Sequence, residues 1–256
     1  MRILRFAIVT ACLALASCAT QPTEQTGTQG SESQERMRAR VHTELAGSYY
    51  EIGNIGVALE EVKEALRADP NYGPAHNIAG LVYSLLKEDR LAEQSFQRAL
   101  SINSIDSDAN NNYGEFLCQR KREEEAIKYF MAAVRNPLYP TPERSYVNAG
   151  VCARRNGDVA GAENYFQLAL KARPEQAQAL YQMADLSYAR GDDDGARGYL
   201  GRLTRVSQVG PEVLWLGVRV SRRLGDRNSE ASYALQLRNR YPNSPEARAL
   251  SAGRYE

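Results

Sequence analysis

The side chains with the most specific chemistry in this sequence are cysteine and histidine, and both are scarce. The 256 residues contain four cysteines and two histidines, His42 and His76. They leave little material for a metal site or for a nucleophile beside a general base. One acidic run, Asp192-Asp193-Asp194-Gly195, could suggest a calcium loop. It lacks the alternating ligands and terminal glutamate of an EF-hand, so we expect neither a metal nor another cofactor.

Charge and composition exclude further classes of function. The chain has 32 basic and 31 acidic side chains and a formal net charge of +1. It therefore has no overall positive field that would attract nucleic acid. Hydrophobic residues make up 43% and charged residues 25%, which is typical of a folded protein. We expect no nucleic-acid partner.

The N-terminal residues have the pattern of a targeting signal. Arg2 and Arg5 precede residues 6–17, which carry no charge and are too few to span a bilayer. A charged start before a short apolar run indicates a secretory signal. The run ends in Leu15-Ala16-Ser17-Cys18, which resembles the bacterial lipobox. Residues 1–17 are therefore a predicted lipoprotein signal peptide, and Cys18 is the predicted lipidation site. A plain signal peptide cleaved nearby is the alternative.

Lipidation of Cys18 would anchor the protein to a membrane and determine its localisation. One acyl chain holds a protein only weakly, and the three chains of a bacterial lipoprotein should anchor it permanently. Ala19, rather than aspartate, follows the cysteine. By resemblance to enterobacterial sorting rules, this favours the outer membrane and its lipid, on the periplasmic side. Residues 18–38 are the lipidated cysteine and a polar segment that we expect to be a flexible tether.

The rest of the chain repeats with a period of 34 residues, apart from two extra residues in the proline-rich stretch 136–142. Each copy places small residues at two positions and an aromatic or branched residue at a third, so that two helices can approach closely. The first small position holds Ala46, Gly80, Gly114, Gly150 and Ala184. The second small position holds Ala58, Ala92, Ala126, Ala162 and Ala196. This pattern resembles the tetratricopeptide repeat (TPR), a helix–turn–helix unit.

The predicted fold is therefore all-α, a TPR solenoid of six repeats with a C-terminal capping helix. Glycines between the helices suit a turn with positive φ, and Pro70, Pro174 and Pro242 should end second helices. The sixth copy is degraded, with Glu230 at the alanine position. The predicted repeats span residues 39–72, 73–106, 107–142, 143–176, 177–210 and 211–244, and residues 245–256 form the capping helix and tail.

The repeat assigns roles to the residues singled out for their chemistry. His42 and His76 share one first-helix position where packing is the favoured role over catalysis. The acidic run at Asp192 falls in a turn between helices, which favours a solvated turn. Cys118 and Cys152 lie in the first helices of neighbouring repeats, so a disulfide between them is geometrically possible. In an oxidising compartment it would stabilise the fold by about 3–4 kcal/mol; two buried free thiols are the alternative.

First helices of stacked repeats line a concave groove that binds peptides or helices. The repeat positions facing this groove combine apolar and amide side chains in the first three repeats, whereas Arg219, Arg222 and Arg223 make the C-terminal part basic. The groove predicted to bind a partner comprises Thr43, Gly47, Tyr50, Asn77, Leu81, Leu85, Asn111, Asn112 and Glu115.

Two segments carry a more specific resemblance. Residues 111–118, Asn-Asn-Tyr-Gly-Glu-Phe-Leu-Cys, and the stretch 136–140 before Asn148-Ala149-Gly150-Val151-Cys152 are similar to the type IV pilus biogenesis/stability protein family, PilW. The resemblance covers the lipobox, the six repeats and the terminal helix. It implies a pilotin, which holds subunits of the pilus secretin and promotes their outer-membrane localisation and multimerisation.

The leading hypothesis is a non-enzymatic outer-membrane lipoprotein that binds the type IV pilus secretin and no small-molecule substrate. One alternative is a TPR lipoprotein adaptor for another envelope machine, such as a peptidoglycan hydrolase or the outer-membrane protein assembly machinery. Another is a factor for pilus-fibre stability that acts after secretin assembly. A catalyst is disfavoured by the scarcity of histidine and the absence of predicted strands.

Overall fold

The computed structural model describes residues 32–255, which form thirteen α-helices and no strand. Twelve of the helices pair into six helix–turn–helix units, and the thirteenth follows the last unit. Their bounds are α1 Gln34–Glu51, α2 Ile55–Ala68, α3 Gly73–Leu85, α4 Asp89–Ile102, α5 Ser107–Gln119, α6 Glu123–Val134, α7 Pro142–Arg155, α8 Val159–Ala172, α9 Ala177–Ala189, α10 Asp193–Val206, α11 Pro211–Arg223, α12 Arg227–Arg240 and α13 Pro245–Ser251.

The observed units follow the predicted repeat boundaries closely, with one exception at the start. The first helices of repeats two, three, five and six begin at the predicted residues 73, 107, 177 and 211, and α7 begins one residue early. Helix α1 begins at Gln34, five residues before the predicted start of the first repeat. Residues 34–38, which we predicted to belong to the tether, are therefore helical.

The turns between paired helices require a left-handed residue. The predicted glycines supply it in four repeats, with φ of 76°, 81°, 86° and 71° at Gly53, Gly157, Gly191 and Gly225. In repeats two and three the same position holds Lys87 and Lys121, with φ of 64° and 59°. A residue with a Cβ adopts this conformation at a cost of about 1–2 kcal/mol. The shape of the turn is thus set by the repeat and not by glycine alone.

Close approach of the paired helices depends on the small residue in the first helix. A Cβ built on Gly150 would lie 2.5 Å from the Phe166 ring, and one on Gly80 would lie 2.6 Å from the Phe96 ring. Gly114 has the same relation to Phe130, and Gly217 to Tyr233. Where the first helix has alanine instead, as at Ala46 and Ala184, the facing residue is the smaller Val62 or Leu200. A larger residue on the first helix is therefore accompanied by a smaller residue on the second.

The two ends of the solenoid differ. At the C-terminal end α13 packs on α11 and α12, its N-cap Ser244 accepts a hydrogen bond from Ala247 N at 3.0 Å, and Leu250 is buried. This confirms the predicted capping helix. At the N-terminal end α1 exposes an apolar stripe of Met37, Val41 and Leu45. In the next two repeats the positions equivalent to Val41 and Leu45 are buried, as at Ala75, Ala79, Ala109 and Tyr113.

None of the thirteen helices of residues 32–255 is both long enough and apolar enough to cross a bilayer.

Candidate functional site: a cleft between the first helices

A cleft of about 240 Å³ lies on the side of the solenoid formed by the first helices. Helices α1, α3, α4, α5 and α7 bring its walls together. We call it the α3–α5 cleft; it is lined by Tyr50, Leu81, Ser84, Leu85, Phe96, Asn112, Glu115, Phe116, Gln119 and Arg144. First helices of successive repeats contact one another here, α1 with α3, α3 with α5 and α5 with α7. Residues from four repeats therefore meet in one depression.

Five of the nine predicted groove residues line this cleft: Tyr50, Leu81, Leu85, Asn112 and Glu115. Leu85 is 51% exposed, so it offers apolar surface directly to solvent. The other four, Thr43, Gly47, Asn77 and Asn111, do not line it. The hydroxyl of Thr43 is buried and donates to Ala39 O of its own helix at 2.7 Å. The predicted groove therefore coincides with the cleft at five of its nine residues.

The buried asparagines form a hydrogen-bonded row that supports the cleft from beneath. Asn112 Nδ2 donates to Asn77 Oδ1 at 3.2 Å, and Arg144 Nη2 donates to Asn112 Oδ1 at 3.0 Å. Asn111 Oδ1 accepts from Ser145 Oγ at 2.9 Å and from Asn148 Nδ2 at 3.1 Å. Asn111 is fully buried, and these bonds occupy its amide oxygen. These amides join α3, α5 and α7 to one another.

Opposite charges stand at the mouth of the cleft. The pKa of the Tyr50 hydroxyl is raised, first by burial and then by the negative charge of Glu115, while the positive charge of Arg144 opposes the shift. Tyr50 therefore stays protonated and keeps a hydrogen to donate. The cleft combines an apolar wall with a carboxylate, a guanidinium and a phenol. This is the mixture that recognises an amphipathic peptide segment.

A disulfide joins α5 to α7 beside the cleft. Cys118 and Cys152 are bonded, with their Cα atoms 5.9 Å apart, as the repeat geometry allowed. Cys118 lines a smaller cavity of about 130 Å³ with Phe130, Asn148 and Val151. Glu115 and Gln119 line both this cavity and the α3–α5 cleft. The bridge therefore fixes the neighbouring first helices where the two depressions meet.

The histidines and the acidic run serve the scaffold. His42 Nδ1 lies 2.6 Å from Glu61 Oε2 across the α1–α2 pair, and His76 Nε2 lies 2.9 Å from Pro70 O. Burial lowers the pKa of His76, so its ring is neutral at pH 7. Asp192 is the N-cap of α10 and accepts from Gly195 N at 2.9 Å, in the inter-helix turn where we placed it. Residues 32–255 contain no cluster of three potential metal ligands.

Five residues of the cleft are absent from the predicted groove: Ser84, Phe96, Phe116, Gln119 and Arg144. Phe96 occupies the aromatic position of the second repeat, and its ring centroid lies 5.6 Å from that of Phe116. The repeat does hold a signal for Arg144, which occupies the same first-turn position as Asp108 in the preceding repeat. The two side chains approach to 4.0 Å. A search for opposite charges at equivalent positions of adjacent repeats would have found this pair.

Comparison with known proteins agrees with this architecture. Family models described as tetratricopeptide repeat match residues 43–107, 90–141 and 153–214. The type IV pilus assembly protein PilF of Pseudomonas aeruginosa is 32% identical over 211 residues, covering 82% of this chain and 84% of PilF. The chain belongs to this family of type IV pilus biogenesis proteins. Membership confirms the resemblance inferred from residues 111–118 and 136–152.

Solved structures of the same family superpose on the chain. A structure of P. aeruginosa PilF aligns with a TM-score of 0.78 and 30% identity, covering 86% of this chain and 100% of the chain in that structure. A crystal structure of PilW, described as a widely conserved type IV pilus biogenesis factor, aligns with a TM-score of 0.73 and 31% identity. It covers 83% of this chain and 97% of PilW. TPR folds of this kind are typically scaffolds for protein interaction.

The predicted signal peptide, residues 1–17, and the predicted lipidation site, Cys18, lie outside the described residues. Their role in anchoring and localisation is part of the proposal below.

Proposed function

We propose that the protein is a pilotin, which binds subunits of the type IV pilus secretin and promotes their assembly in the outer membrane. The observation that carries the binding role is the α3–α5 cleft, where side chains from four repeats converge on one partly apolar depression. Membership in a family of pilus biogenesis proteins supports the choice of partner. The scaffold needs no reaction to perform this task.

The cleft suits a short amphipathic segment of the secretin subunit. Leu81 and Leu85 provide apolar surface on one wall, and Phe116 provides it on the other. Burying an apolar side chain between them contributes about 1.5–3 kcal/mol. Glu115 and Arg144 at the mouth would pair with polar groups of the segment and set its direction. The asparagine row beneath holds the walls at a fixed spacing.

Acylation of Cys18 would supply the destination. A lipobox-like sequence precedes this cysteine, and the polar residues that follow would hold the solenoid near the membrane surface. A subunit held in the cleft then meets the outer membrane at a high effective concentration, which favours ring formation without any new contact. In this proposal the lipid and the cleft perform separate tasks, so each can be removed alone.

The substitution Leu85→Asp tests the cleft. It places a carboxylate on the apolar wall, and because Leu85 is 51% exposed the fold should be unaffected. We expect capture of secretin subunits by the purified full-length protein to fall at least tenfold, the loss that about 1.4 kcal/mol of binding free energy produces. Binding is measured by titration with detergent-solubilised secretin subunits.

Ile105→Asp is the matched control, since Ile105 is 67% exposed and lies outside the cleft. Its affinity for the secretin should equal that of the unmodified protein. Circular dichroism checks that both variants are folded. Equal binding by Leu85→Asp and Ile105→Asp would exclude the cleft as the secretin site.

A further inference from the structure

A second feature lies on the same side of the solenoid, in its last two repeats. The guanidinium of Arg219 stacks between aromatic rings, with Cζ 4.9 Å from the Tyr188 ring centroid and 5.9 Å from that of Trp215. Its Nε atom is buried and has no hydrogen-bond partner. The terminal nitrogens are also without a partner among residues 32–255, and they remain accessible to solvent. The group is thus oriented by packing and leaves its donors free.

Three other arginines, Arg154, Arg222 and Arg223, differ from Arg219 because each pairs with a carboxylate. Their ion pairs are Arg154–Asp185 at 2.5 Å, Arg222–Glu230 at 3.0 Å and Arg223–Asp193 at 3.1 Å. No carboxylate lies within 4.0 Å of the Arg219 guanidinium in the same range. The guanidinium of Arg219 therefore has no carboxylate in direct contact, and its Nε atom is desolvated.

Equivalent positions in earlier repeats indicate which surface of the solenoid Arg219 faces. Arg219 in α11 occupies the repeat position that holds Leu81 in α3 and Glu115 in α5. Both of those residues line the α3–α5 cleft. The same position in α7 is Val151, which lines the smaller cavity beside the disulfide. Arg219 therefore lies on the surface that continues from the cleft toward the C-terminal end of the solenoid.

We propose that Arg219, together with Tyr188 and Trp215, forms a receptor for a carboxylate of the bound protein segment. Stacked rings hold the planar guanidinium in one orientation, so little side-chain entropy is lost when two parallel hydrogen bonds form to a carboxylate. Such a bond would also provide the acceptor that the desolvated group lacks. The inference rests on the proposed function only in taking a protein segment as the occupant of this side.

The carboxylate could belong to an acidic side chain or to a chain terminus, and three labelled peptides separate these sources. All are glycine–serine peptides: one has two internal glutamates and an amidated C-terminus, one has glutamines in their place, and one has glutamines and a free C-terminus. Their binding to the full-length protein in detergent is measured by fluorescence anisotropy. The Arg Nε–H resonances are followed in parallel by NMR.

Two variants locate the effect. Arg219→Gln removes the charge, whereas Arg238→Gln removes an exposed arginine of α12 away from these rings. We expect a carboxylate peptide to bind the unmodified protein and Arg238→Gln at least tenfold more tightly than its neutral match. The preference should vanish in Arg219→Gln, and binding should shift the Arg219 Nε–H resonance.

Three results would overturn the proposal: no preference for either carboxylate peptide, a preference retained by Arg219→Gln, or an unshifted Arg219 resonance. Because the probes contain no secretin sequence, these results are independent of the Leu85→Asp titration. Failure of the carboxylate receptor can therefore be distinguished from failure of the pilotin proposal.

Discussion

Replacing Gly150 with alanine should destabilise the solenoid, although alanine is the better helix former. The new Cβ would lie 2.5 Å from the Phe166 ring, which is fully buried. Overpacking of this kind costs about 1–3 kcal/mol, which exceeds the gain of about 1 kcal/mol from helix propensity. Urea denaturation followed by far-UV circular dichroism measures the change. Gly198→Ala is the matched control, because nothing lies within 4 Å of its Cβ position, and it should raise stability instead.

The fifth repeat suggests how to rescue the Gly150→Ala variant. Ala184 and Leu200 occupy the positions that Gly150 and Phe166 occupy in the fourth repeat. Phe166→Leu alone should also destabilise the protein, because it leaves a cavity. The double variant should recover part of both losses, with a coupling free energy of about 1–3 kcal/mol. Strictly additive losses would show that the two positions do not exchange volume as the repeats indicate.

Loss of the disulfide should produce the second large effect on stability. Cys118 and Cys152 are 34 residues apart, and a bridge closing a loop of this size contributes about 3–4 kcal/mol by restricting the unfolded chain. Cys118→Ala with Cys152→Ala removes it without leaving buried thiols. We expect the urea midpoint to fall and secretin binding to weaken, because α5 and α7 then lose their covalent connection beside the cleft.

Reductant provides the control for the disulfide. It should lower the urea midpoint of the unmodified protein and leave that of the double alanine variant unchanged. A thiol assay on the denatured protein, with and without reductant, should show two additional thiols only after reduction. Equal midpoints for the unmodified and double alanine proteins under oxidising conditions would show that the bridge contributes no stability.

The fold was predictable because the same 34-residue period marks the packing positions, the turns and the helix ends. A small residue such as Gly114 and a facing aromatic residue such as Phe130 recur at a fixed spacing, and the same spacing locates turns and helix ends. The start of α1 was missed for a physical reason. Four of the residues 34–38 are polar, and the fifth, Met37, is 47% exposed, so their composition resembles that of a tether.

The site was predictable only in part, because the repeat reports which way a residue faces and not whether it is covered. Leu85 and Glu115 of the predicted groove line the cleft. Asn111 faces the same side, yet Ser145 and Asn148 of the next repeat cover its amide and bond to it. Such burial depends on side chains from neighbouring repeats whose distances a single sequence does not give.

The most direct test of the pilotin proposal is an immunoblot of the secretin, run without boiling so that detergent-resistant rings stay intact. Cells with the gene, without the gene and with Cys18→Ala are compared. We predict that the ring disappears and the monomer accumulates without the gene, and that Cys18→Ala leaves the protein folded but misplaces the secretin. Persistence of the ring without the gene, together with loss of surface pili, would contradict the proposal and place the action of the protein after secretin assembly.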